Sequence, residues 1–211
     1  MCGIAGILFK GDHRNLTAGQ ALINMLDGCQ HRGPDSTGYA LYHETKDGEL
    51  RLRFLVGEGM EAAETVERIK EKFAEWKAEV VTEESTGLNH TFTVRFDGDV
   101  QKFSYAMEHV AKLFSIGESL DIIKDIGGAH DVDKIYDVNS FNGTHGLGHV
   151  RLATESDVKP EAAHPFWATG FADVAIVHNG QITNYYKMRR RLEKRGFEFH
   201  TENDSELVAV Y

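Results

Sequence analysis

The chemistry of this chain starts at Cys2, which is followed at once by the strand-like run Gly3-Ile4-Ala5-Gly6. With Met1 removed, Cys2 carries a thiol and a free α-amine on one carbon skeleton. That combines a nucleophile and a base in a single residue, as in enzymes that use their own N-terminus. Unperturbed, the amine titrates at about 7.7–8.0 and the thiol at about 8.5. Near neutral pH the amine can therefore take the thiol proton as attack begins, directly or through one water. Three other stretches gather charged and polar side chains, two of them with glycine: His31-Arg32-Gly33-Pro34-Asp35-Ser36-Thr37-Gly38, Arg151-Leu152-Ala153-Thr154, and His178-Asn179-Gly180 with the later Asn203-Asp204-Ser205-Glu206.

These groups need a scaffold. Residues 3–9 read as a buried strand, with glycines at 3 and 6 that let other backbone or a ligand come close. Thr17, with Gln20 three residues on, is a capping-box start. The helix it opens sets Ala18, Ala21, Leu22, Met25, Leu26 and Cys29 on one face, which makes Cys29 a core residue. Tyr39–Tyr42 and Leu50–Val56 read as strands joined through the turn at Asp47-Gly48. His145 to Thr154 reads as a strand leading into a turn, and its histidines, His145 and His149, are expected to be structural. Val174–Val177 is a short apolar strand suited to a buried sheet. A helix is expected from about Thr183 to the stop at Gly196. Asn203 with Glu206 marks another helix start, and the chain stops within its first turns, so a truncated C-terminus is expected.

The segment 57–143 differs in pattern. Glu61 to Val81 reads as a charged amphipathic helix, Thr91–Phe96 as a strand, and Tyr105–Phe114 as a helical stretch. No nucleophile, base and orienter group together there, so it is expected to be an insertion or subdomain. His130, Asp131 and Asp133 match no metal-ligand spacing, and no metal or cofactor is expected.

The 211 residues are 41% hydrophobic and 27% charged, with a formal net charge of −10. That composition belongs to a globular chain. The acidic balance disfavours a binder of phosphate backbones and gives no attraction to an anionic membrane. Two cysteines supply no disulfide framework. With no signal-like N-terminus and no apolar run long enough for a membrane span, a reducing cytoplasm is the expected location.

Taken in order, Met-Cys-Gly-Ile-Ala-Gly, His-Arg-Gly-Pro-Asp-Ser-Thr-Gly, Arg-Leu-Ala-Thr and His-Asn-Gly followed by Asn-Asp-Ser-Glu resemble the class II, N-terminal-nucleophile glutamine amidotransferases. The resemblance covers residues 1–56 and 144–211. It implies an α+β fold, the four-layer αββα sandwich, here with an inserted α/β segment and one amidotransferase domain over 1–211. It implies that Cys2 attacks the glutamine side-chain amide to form a thioester, releasing ammonia, and that water then frees glutamate. It implies that the Asn179 side chain and the Gly180 N–H hold the oxyanion, that Arg151 clamps the α-carboxylate, and that Asp204 pairs with the α-ammonium. Thr154 would line the pocket, and Arg32 and Gly33 would support the nucleophile loop.

Two departures refine this. Sugar-forming members carry a His after Arg-x-Ala-Thr, where this chain has Glu155. The long middle block also separates it from compact members. The pattern looks most like the small glutaminase subunits associated with glutamate-synthase-type enzymes, which implies an ammonia-accepting synthase on another chain or domain and a homo- or hetero-oligomeric assembly. Two other readings stand beside it: a glutamine-binding regulatory or scaffolding homologue without turnover, and an N-terminal-nucleophile hydrolase of another amide.

Overall fold

A computed structural model describes residues 2–11, 15–152 and 158–211. Two four-stranded antiparallel sheets organise it. The first takes β1 (Gly3–Leu8), β8 (His145–Arg151), β2 (Ser36–Tyr42) and β7 (Leu120–Ile126), in that spatial order. The second takes β4 (Glu79–Thr86), β5 (Asn89–Arg95), β3 (Glu49–Leu55) and β6 (Lys112–Gly117). A short pair, β9 (Phe166–Trp167) and β10 (Ala175–Ile176), comes after these strands in the chain and before the last helices. The helices are α1 (Ala18–Cys29), α2 (Gly59–Glu75), α3 (Val100–Glu108), α4 (Ala129–Tyr136), α5 (Tyr185–Glu193) and α6 (Asp204–Val210). The protein is thus a mixed α and β fold with antiparallel sheets.

Side-chain alternation gives the first sheet two different faces. Ala5, Tyr39, Leu41, Ile123 and Val150 turn toward α1 and α4 and form one core with Leu22, Leu26 and Val132. Ala40, Leu120 and Ile122 turn the other way. They join a larger core with Leu52 and Phe54 of β3, Phe92 of β5, Ile69 and Phe73 of α2, and Phe103 and Met107 of α3. With both faces covered, β2 is buried along almost its whole length.

Residues 57–143 enter both sheets. Their β7 pairs with β2, from Ser36↔Ile126 to Tyr42↔Leu120. Their β6 pairs with β3. The turn before β3 is present, with Gly48 at φ 74°, yet β2 and β3 belong to different sheets. Turn residues fix a change of direction; which strands then pair is decided by burial and long-range packing.

Other boundaries move for local reasons. α2 stops at Glu75, six residues short of the expected end. Lys77 takes a left-handed φ of 57° and the Ala78 N–H donates to the Phe73 carbonyl at 2.9 Å, which closes the helix. The expected helical stretch 105–114 divides into α3 and β6; Asp99 caps α3 through the Lys102 N–H at 3.1 Å. On α1, Thr17 caps through the Gln20 N–H at 3.0 Å. Ala18, Leu22 and Leu26 face the core as expected, but the buried stripe includes Ile23 rather than Met25. Among the described residues, no helix is long and apolar enough to cross a membrane.

Candidate active site

The second face of the first sheet positions the chemistry. Val150 of β8 points toward α1, so His149 and Arg151 on either side point away from it. Gly3 pairs with Val150. Cys2 precedes this pair on one strand and Arg151 follows it on the other. Gly33 crosses directly over this point: a Cβ there would lie 2.4 Å from the Val150 carbonyl. Only glycine lets the loop approach so closely. The Asp35 N–H donates to the Arg151 carbonyl at 3.1 Å, and Gln30 Nε2 donates to the Gly33 carbonyl at 2.7 Å. Arg32 is exposed on the 3₁₀ turn before Gly33.

A second layer closes over this face. Its loop carries His164, whose carbonyl lies 2.0 Å from where a Gly38 Cβ would be, so β2 needs a glycine there. Beneath the loop, the buried Lys124 of β7 donates to the carbonyls of Ala163 (3.1 Å), Pro165 (3.4 Å) and Glu161 (3.5 Å). Its ammonium also faces the rings of Phe114 and Phe166 at 4.6 and 4.9 Å. Burial pushes the Lys124 pKa down to about 7, and Lys112 pushes the same way.

After β10 the chain runs into His178-Asn179-Gly180. Asn179 Nδ2 donates to the Cys2 carbonyl at 3.3 Å, which joins the stretch before β1 to the loop after β10. Cys2 is half-buried, while Asn179 and Gly180 are exposed. A Cβ on Gly180 would sit 2.6 Å from His178 Nε2, so the turn packs on that ring.

The start of α6 supplies the other wall. Asn203 caps it, its side chain accepting from the Ser205 N–H at 2.9 Å. Asp204 Oδ2 accepts from the Ile182 N–H at 2.7 Å, and its Oδ1 lies 3.7 Å from His178 Nδ1. The buried Glu206 accepts from the N–H groups of His200 (2.9 Å) and Thr201 (2.8 Å) and from the Thr169 hydroxyl (3.1 Å), which pins the preceding loop to the helix.

Asn179 thus contacts Cys2, Gly33 packs on the backbone of Val150 and Arg151, and Asp204 lies beside His178, next to the Asn179–Gly180 turn. Arg32 is in the supporting turn. Thr154 and Glu155 lie outside the described residues. Sequence reasoning takes His149 as structural and does not single out His164. His149 and His164 are buried and stacked with ring centroids 4.3 Å apart. Burial pushes the His149 pKa down to about 4, and the Arg151 charge adds to this. His164 is lowered further still, by burial first and then by its cationic and imidazole neighbours. The apolar run Ala-Ala-His-Pro-Phe-Trp around His164 was the available signal, since a histidine in such a run has to be buried with a partner.

Residues 128–211 match the family model described as glutamine amidotransferase domain. The whole chain aligns with a putative glutamine amidotransferase of Methanothermobacter thermautotrophicus at 35% identity, over 71% of that protein. It aligns equally with the glutamine amidotransferase-like protein GlxB of Rhizobium meliloti, 35% identical over 69% of its length. A shorter match, 40% identity over 44% of this chain and 15% of the relative, is to a glutamine–fructose-6-phosphate aminotransferase of Bradyrhizobium diazoefficiens. The chain belongs to the glutamine amidotransferase family.

Proposed function

We propose that this protein is the glutaminase of a class II amidotransferase, with Cys2 as N-terminal nucleophile and the αββα sandwich as its frame. The observation that carries the reading is the Asn179–Cys2 contact, because it puts an amide donor beside the nucleophile. In this reading the Cys2 thiol loses its proton to its own α-amine and the sulfur adds to the side-chain carbonyl carbon of glutamine. The resulting oxyanion is met by Asn179 and the Gly180 N–H. An amide carries two N–H bonds, so Asn179 can hold the Cys2 carbonyl with one and the oxyanion with the other. The C–N bond then breaks, and the departing nitrogen takes the proton from the amine and leaves as ammonia. Water adds to the thioester, the C–S bond breaks, and glutamate departs as the thiol is restored. Donors aimed at charge that exists only in the transition state accelerate the step itself.

Arg151 and Asp204 select the α-carboxylate and α-ammonium of a free amino acid. The ammonia is destined for a synthase on a partner chain or domain. Glu155, where sugar-forming members commonly carry His, speaks against a sugar phosphate acceptor, and the motif pattern, with Ile182-Thr183-Asn184-Tyr185-Tyr186 after His-Asn-Gly-Gln, resembles the glutaminase subunits of glutamate-synthase-type enzymes. The test is intact mass before and after an electrophilic glutamine analogue, with peptide mapping. A chain lacking Met1 that gains one adduct on Cys2 supports the reading. A processed chain that gains none sinks it in favour of a binding-only homologue or another amide substrate.

A further inference from the structure

Ser205 is the second residue of α6, directly after Asp204, and is buried. Its hydroxyl faces two imidazoles. His164 Nε2 is 2.7 Å from Ser205 Oγ, and His178 Nδ1 is 3.2 Å from it on the other side. A hydroxyl has one proton and two lone pairs. Asp204 Oδ1, 3.7 Å from His178 Nδ1, can only accept, so it favours a proton on that nitrogen over a lone pair. His178 Nδ1–H then donates to Ser205 Oγ, and the shorter contact to His164 suits the serine proton. His164 can accept because burial keeps it neutral. Its own Nδ1 has no hydrogen-bond partner among the described residues.

We infer that Ser205 is a positioning residue: through its hydroxyl it locks the Nδ1–H tautomer of His178, and so fixes the ring on which the Asn179–Gly180 turn is built. The catalytic side of this inference rests on the glutaminase reading. His178 touches the turn that meets the oxyanion, so loss of the lock lowers turnover. Asp204 is held separately by the Ile182 N–H, so binding of glutamine is spared.

The deciding measurement is tautomer-sensitive ¹⁵N imidazole NMR at about pH 8, where an ordinary histidine is neutral, on wild type, Ser205→Ala and Ser205→Thr. Wild type and S205T should show His178 as the Nδ1–H form. S205A should shift it toward the Nε2–H form that free imidazole side chains prefer. In steady-state assays S205A should lower kcat about tenfold with KM within about twofold, and S205T should restore it. His178 found as Nε2–H in wild type, or unchanged in S205A, overturns the lock. Altered tautomer with unaltered kcat overturns the positioning role. Because the spectra need no turnover, a wild-type chain that fails to label at Cys2 would remove the glutaminase reading while leaving the lock decided on its own evidence.

Discussion

Asn179 donates its side-chain amide to the carbonyl of Cys2 across 3.3 Å of space and 177 positions of sequence. The contact couples the candidate nucleophile to the candidate oxyanion donor before substrate arrives. Asn179→Ala should therefore reduce kcat for glutamine about 10²–10³-fold, the usual effect of losing one such donor, with a smaller change in KM. Rates of glutamate release would show it. A variant within twofold of wild type would remove Asn179 from the chemistry.

Arg151 follows Val150, the strand partner of Gly3, and Cys2 precedes Gly3. A charged hydrogen bond is worth about 1.5–3 kcal/mol. Arg151→Ala should thus raise the glutamine KM about 10–100-fold and leave kcat comparatively unchanged. Initial rates across a glutamine series test this. An unchanged KM would favour a hydrolase acting on some other amide.

The stacked His149 and His164 make stability depend on pH in one direction. Both are harder to protonate folded than unfolded. Between about pH 6.5 and the folded value of about 4 for His149, the unfolded chain binds more protons. Stability therefore falls as pH falls through that window, by up to about 3 kcal/mol for His149. His149→Phe, which keeps a ring for stacking, should reduce the loss. Urea midpoints at pH 6.5 and pH 4.5 would measure it, and equal losses in both proteins would contradict the assignment.

Gly33→Ala would place a Cβ 2.4 Å from the Val150 carbonyl. Either the loop or β8 must move, at a cost of about 1–3 kcal/mol. Chemical denaturation should show that loss, and labelling of Cys2 should slow, since β8 sets the register of β1. Unchanged stability would mean that the close crossing relaxes without effect.

Parts of this were legible in the residues. Thr17 and Asn203 announce helix starts because capping is a short-range bargain between one side chain and the next turn. Cys2, Arg151 and Asn179 stand out because each belongs to a local pattern. The partnership of β2 with β7, rather than with its neighbour in sequence β3, was not legible: alternation reports which face is buried but not which strand lies alongside. The same holds for Ser205. A serine after an aspartate at a helix start looks like part of a cap, and only the fold brings His164 and His178 to either side of it.

Asp173 ties the middle segment to the reactive end of the chain. Held at φ 61°, it accepts at the β6–β7 turn from the N–H groups of Glu118, Ser119 and Leu120 and from the Ser119 hydroxyl. The turn belongs to residues 57–143, and Asp173 lies two residues before β10. For protein engineering, the segment is therefore no removable cassette. Excising it would strip β2 of a neighbour and leave a carboxylate with its donors gone just upstream of Asn179, so shortened versions would have to be rebuilt at both places to keep the reactive turn in position.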